Sequence, residues 1–172
     1  NKWAGSKFSF NIHTDFDYQS MNNYTATASI DNFAMNSSAY NYQLEKIDIF
    51  ADTRNLNITS DFGHIYLKGK YDIASILPSI KNAIHSKLPS LCPHEEKLYN
   101  NFVIDMNINE SDWLRHLFKV PLTLNAPLRF IANVDDIKKQ LYINASISDF
   151  NYDGTDYKNA ILVANTLNDT LS

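Results

Sequence analysis

The chain has four glycines, five prolines and one cysteine in 172 residues, and each shortage removes a class of protein. Gly5, Gly63, Gly69 and Gly154 are too scattered to build a P-loop, a dinucleotide fingerprint or a G-x-S-x-G elbow. The lone Cys92 has no internal disulfide partner, so cysteine usage leaves the redox compartment open. Basic runs are missing too. Fifteen Lys+Arg against nineteen Asp+Glu leave a net charge of −4, which lacks the cationic footprint of nucleic-acid binding. No apolar stretch reaches the about 20 residues that span a bilayer, and the opening residues carry no signal-peptide pattern. The first residue is Asn, and "NKWAGSKFSF" is already in strand rhythm, so a segment of a longer protein is expected.

What is present is alternation. Apolar residues make up 44% and charged residues 20%, a globular profile that suits one domain over residues 1–172. Period-two patterning marks half-buried strands. It runs through Phe8, Phe10 and Ile12; through Tyr24, Ala26, Ala28 and Ile30; and through Tyr42, Leu44, Ile47 and Ile49. It returns at Phe102–Ile108, at Leu128–Val134 and at Leu141–Ile147. The parity changes across Glu45-Lys46, which are poor turn residues, so a bulge is expected there. Asp153-Gly154 has the chemistry of a tight hairpin turn. Two segments break the strand rule. Ile73, Ile76, Leu77, Ile80, Ala83, Ile84 and Leu88 fall at helical steps, predicting an amphipathic helix over about 73–88, capped by Asp72 and ended by Pro89. Pro78 would cost about 3 kcal/mol in a helix interior, so a looser first turn is expected before it. A second short helix is predicted over about 110–118, burying Trp113, Leu114, Leu117 and Phe118.

Two stretches repeat. Ala28-Ser-Ile30-Asp-Asn-Phe33 matches Ala145-Ser-Ile147-Ser-Asp-Phe150, and "LEKIDIFADTRN" from Leu44 matches "YKNAILVANTLN" from Tyr157. Units of about 24–60 and 141–172 follow. Chemistry, by contrast, is thin. Cys92, His94, Glu95 and Glu96 have metal-ligand types, but a closed zinc site needs four ligands and C-x-H offers two at an unusual spacing. Cys92 as a nucleophile would need one of the scattered His13, His64, His85, His94 or His116 beside it. Asp135-Asp136 suits a turn. Six sequons, at Asn23, Asn36, Asn57, Asn109, Asn144 and Asn168, are expected from Asn, Ser and Thr sharing the polar face of strands at i and i+2, in preference to glycosylation. No catalytic, cofactor-binding or metal site is expected.

Several stretches together resemble a known family. "YQLEKIDIFADTRNLNITSDFGHIYLKGKYD" and "DIASILPSIKNAIHSKLPSL" are similar to the Bacteroidetes branch of the AsmA-like/TamB (translocation and assembly module) family. The shared positions are Tyr42, Leu44, Ile47, Ile49 and Ala51; Leu56, Ile58 and Ser60; Gly69, Tyr71 and Asp72; Leu88 and Pro89. The match covers roughly residues 1–91. The resemblance implies a β-taco, long strands stacked in a curved half-pipe with an apolar interior, and a non-enzymatic role. It also implies a periplasmic parent anchored in the inner membrane of a Gram-negative bacterium, and work in phospholipid transport or outer-membrane protein assembly.

The strand positions expected to line the groove are Ala26, Ala28, Ile30, Leu44, Ile47, Ile49, Ile58, Leu141, Ile143, Ala145 and Ile147. Phospholipid acyl chains would be the ligand, with outer-membrane assembly machinery as a further partner. A different reading is a β-sandwich binding module for glycan or protein, with Tyr18, Tyr24, Tyr40 and Tyr152 as exposed platforms. Two further expectations concern the end of the chain. Ile161 and Val163 need cover, for which the helix over 73–88 is the available lid, through Ile80 or Ile84. The last strand's outer edge is expected to stand unpaired and to favour strand-edge self-association.

Overall fold

The computed structural model describes residues 6–20, 23–37, 40–85, 97–118, 120–166 and 170–171. Eleven strands form one sheet: β1 (Lys7–Ser20), β2 (Asn23–Asn36), β3 (Asn41–Asp52), β4 (Asn55–Ser60), β5 (Gly63–Lys70) and β6 (Asn101–Ile108). The rest are β7 (Leu122–Leu124), β8 (Leu128–Asp135), β9 (Gln140–Tyr152), β10 (Thr155–Asn165) and β11 (Thr170–Leu171). The order is β1-β2-β3-β4-β5-β6-β8-β9-β10-β11, with β7 paired beside β9. All pairings are antiparallel and the sheet is open and curved. The chain is mainly β. Strands follow one another as a meander, so the described residues form no second sheet and no Greek key, and the sandwich expectation fails. The physical reason is that one face is covered from within the meander itself, which leaves a second sheet nothing central to cover.

That cover comes from two excursions. The β5–β6 connection carries a 3₁₀ turn (Ile73–Ser75) and helix α1 (Ile76–His85). Asp72 caps the turn by accepting from the Ala74 N–H at 3.2 Å. Pro78 sits in the first turn of α1, where a missing N–H leaves no bond unmade. The predicted end at Leu88-Pro89 lies outside the described residues. The β6–β8 connection carries a short π-helical segment, Leu114–Phe118, and β7.

Register explains the two faces. Thr14, Ala28, Ile49, Ile58, Ile65, Met106, Phe130, Ala145 and Leu162 oppose one another strand by strand across the sheet. So do Phe16, Ala26, Ala51, Leu56, Leu67, Ile104, Ala132, Ile143 and Ala164. One residue along, the row is His13, Ser29, Asp48, Thr59, His64, Asn107, Arg129, Ser146 and Ile161. A greasy inner face follows directly from the two-residue period, while the outer face mixes this polar row with Phe50, Val103, Ile131 and Ile161.

The matched stretches form two hairpins in one register. Ile30 opposes Ile47 and Phe33 opposes Leu44, while Ile147 opposes Ala160 and Phe150 opposes Tyr157. Each hairpin skips one pair in between, at Asn32 (φ 54°) and at Asn159 (φ 54°). This irregularity is what changes the parity at Glu45-Lys46. Asp153 (φ 50°) and Gly154 (φ 82°) make the tight turn between β9 and β10.

Two apolar clusters fill the inner face. Ile76, Ile80 and Ala83 of α1 pack on Leu67, Phe102, Ile104, Ala132, Val134, Leu141, Ile143 and Ala164. Trp113, Leu124 and Leu128 pack on a second cluster of Tyr42, Leu44, Phe62 and Ile108. The helix is therefore not a lid on Ile161 and Val163. Those residues point to the outer face, where Ile161 stays 69% exposed, and the apolar stripe of α1 goes to the larger apolar area on the inner side. Ile84's side chain lies outside the description. The outer edge of β10 is not wholly bare either, since β11 pairs with Ala164 and Asn165.

Candidate functional site

The middle of the inner face is plugged, and the plug is held by polar groups. Asn100 donates from Nδ2 to Ser75 Oγ at 2.8 Å and Ser79 Oγ at 2.7 Å. Ser79, fully buried, donates to Asp136 Oδ2 at 2.8 Å, which also accepts from the Asn100 N–H. Asn100 Oδ1 accepts from the Asp72 N–H at 3.1 Å. Helix start, helix middle and the β8–β9 turn are thereby joined at one point. The second plug is tied by Ser111, whose Oγ donates to Leu122 O and accepts from Leu124 N–H.

Toward β1 the described residues leave the inner face uncovered. Phe8, Phe10, Ile12, Phe16 and Tyr18 face the inner side of β1 and are between 45 and 63% exposed. Behind them Ala26, Ala28, Ile30 and Ile49 form a half-buried floor of small and branched residues. Aromatic rings close both ends of this floor. Phe10 stacks on Phe33 at 6.5 Å, Phe33 meets Tyr42 at 6.5 Å, and Tyr42 meets His116 at 5.8 Å. At the far end Phe16 packs with Tyr24 at 6.3 Å and Tyr18 at 6.1 Å. Phe10 to Tyr18 spans eight strand steps, about 26 Å. That exceeds the about 15 Å depth of one leaflet's hydrocarbon.

Of the eleven groove positions expected from sequence, all lie on the inner face, but only part of them share the open floor. Ala26, Ala28, Ile30 and Ile49 do. Leu44 belongs to the second cluster, with Ile47 and Ile58 packed against it, Leu141 and Ile143 are buried under α1, and Ala145 and Ile147 lie across β4, β5, β6 and β8 from the floor. The β1 row was not among them. Its alternation is legible, but its exposure depends on β1 being the outermost of the described strands, which local pattern does not reveal.

Titratable groups gather at the second plug. Tyr42 donates its hydroxyl to Glu110 Oε2 at 3.3 Å, and burial together with that carboxylate pushes the hydroxyl's pKa up. Burial, aided by the charge of Asp112, raises Glu110 above the ordinary carboxylate range despite hydrogen bonds from the Asp112 N–H and Tyr42. These groups hold a loop. Cys92, His94, Glu95 and Glu96 lie outside the described residues. Among the described residues no three His, Cys, Asp or Glu side chains gather as metal ligands would. Tyr18 and Tyr152 are exposed, whereas Tyr24 is half-buried and Tyr40 stacks on His116 at 4.2 Å.

The chain matches no protein-family model, no curated protein and no solved structure. Among the described residues no helix is long and apolar enough to cross a membrane.

Proposed function

We propose that the inner face between β1 and β3 carries phospholipid acyl chains, in a non-enzymatic segment of an AsmA-like/TamB-type protein of the Gram-negative periplasm. The observation that supports this is the uncovered apolar floor of Ala26, Ala28, Ile30 and Ile49 with the exposed aromatic row of β1 along it. Contiguous exposed apolar surface of this kind is unfavourable in water and marks a ligand or partner. An acyl chain suits it for a chemical reason: Ala26, Ala28, Ile30 and Ile49 offer methyl groups alone, and beside them the β1 row is mostly ring faces, with Thr14 its polar break. The plugs by α1 and the 109–127 connection confine the ligand to this side. Headgroups would stay in solvent beyond the β1 edge, so selectivity would rest with chain length and not with headgroup contacts.

The test is native mass spectrometry with lipid extraction on the purified protein. Co-purifying phospholipid that is lost on Ala28→Asp, with the circular dichroism unchanged, is the expected result. A lipid-free protein that takes up no phospholipid from vesicles would overturn the reading.

A further inference from the structure

The outer face of β1–β4 carries a second surface with a different chemistry. Two neighbouring rows cross these strands in register. One runs His13, Ser29, Asp48 and Thr59; the other, two residues along, runs Asp15, Thr27, Phe50 and Asn57. Four strands make each row about 14 Å long. These side chains line a groove of about 420 Å³, a size typical of small-ligand sites.

Two observations say what the groove would accept. First, Phe50 is 39% exposed at its centre and, among the described residues, stacks on no other ring. Second, the polar groups around that ring are unpaired. The side chains of Asp15, Thr27, Asn57 and Thr59 make no hydrogen bond or ion pair among the described residues. The next row along differs: Asp52 accepts from the Arg54 N–H and from Asn55 Nδ2, and Asn55 Oδ1 accepts from the Tyr66 hydroxyl. Lys46 Nζ, 2.9 Å from Asp48, holds that carboxyl below the ordinary range, so Asp48 is an ionised acceptor at neutral pH. A ring face among hydroxyl, amide and carboxylate groups matches a ligand with one apolar face and a rim of hydroxyls. A sugar ring is such a molecule: its C–H face lies on an aromatic ring while its hydroxyls donate to carboxylates and exchange hydrogen bonds with amides. Asp15 and Asp48 repel acidic ligands, and burying unpaired polar groups under an acyl chain is costly.

We propose that this outer groove binds a neutral glycan chain, with Phe50 as the stacking platform and Asp15, Asp48 and Asn57 as partners of the sugar hydroxyls. Tyr66 continues the row of Phe50 and Asn57 about 10 Å from Phe50 and lengthens the platform along the chain. The groove lies on the face opposite the apolar floor. The proposal stands whether or not that floor carries acyl chains.

Isothermal titration calorimetry of the whole chain with maltohexaose, cellohexaose and chitohexaose tests it. At least one of the three should bind saturably. Phe50→Ala should weaken that binding about tenfold and Asp15→Asn several-fold, while Phe50→Trp, which keeps a ring, should retain it. Tyr152→Ala removes an exposed ring far along the sheet and should leave the binding unchanged. Circular dichroism identifies any variant that has lost its sheet. Asp15→Asn, at an exposed and unpaired carboxylate, then carries the decision. No saturable binding of any of the three sugars, equal weakening by Tyr152→Ala, or tighter binding of a tetralysine peptide than of any sugar would overturn the proposal.

Discussion

Gly69, Tyr71 and Asp72 stand within four residues and do three different jobs, which shows how a short motif can be mostly geometry. Gly69 closes β5 against β6 at φ 140°, where an added Cβ would lie 2.2 Å from Asn101 O. Tyr71 then packs edge-on to Phe102 at 6.5 Å, and Asp72 caps the turn into α1. Backbone in this region carries about 1–3 kcal/mol of strain for a residue with a side chain. Gly69→Ala should therefore lower the unfolding free energy by at least that much in urea denaturation, and Tyr71→Ala should cost less. Glu110 makes a prediction of the opposite sign. Its folded pKa is raised, chiefly by burial, so the folded state binds more protons than the unfolded one between the two pKa values. Stability should fall as pH rises from the ordinary glutamate range through the raised folded value. Glu110→Gln should flatten that decline, and a Glu110→Gln profile parallel to the wild type would refute the assignment.

At the scale of elements, α1 is docked by polar groups at one end and apolar groups along its stripe. Asn100→Ala removes the partner of Ser75, Ser79 and the Asp72 N–H, and unsatisfied buried groups cost about 1–3 kcal/mol each. Hydrogen exchange should speed up across α1 in that variant while β2 and β3 keep their protection. Uniform loss of protection would mean that the helix is no separate unit. Much of this layer was legible. Alternation marked the long strands, three- and four-residue spacing marked α1, Pro78 marked its loose first turn, and the parity change at Glu45-Lys46 marked an irregularity that the structure places at Asn32. Docking was not. Ser79 is 21 residues from Asn100 and 57 from Asp136, and nothing local announces that the three meet. The same limit explains the misplaced lid: Ile161 and Val163 look like a face that needs cover, but which face α1 meets is decided by the whole sheet.

Across the whole molecule, one apolar face runs through nine strands and is filled in the middle and open toward β1. The sequence rhythm shows that such a face exists, and the groove positions chosen from it all fall on the inner side. It does not show which part stays open, because that depends on where two excursions cross and on which strand ends the sheet. Filling the floor should therefore matter more than removing it. Ala28→Trp, set among Thr14, Ile49 and their neighbours, should reduce lipid uptake while leaving the two clusters and the thermal midpoint nearly unchanged, as followed by lipid extraction and melting curves. The most direct test of the central claim places a photo-crosslinking residue at single positions along β2 and illuminates the protein with phospholipid vesicles. Inner positions Ala28 and Ile30 should give lipid adducts, and outer positions Thr27 and Ser29, one residue away, should give few. Equal labelling of both sets, or none at Ala28 and Ile30, would contradict a lipid-bearing inner face.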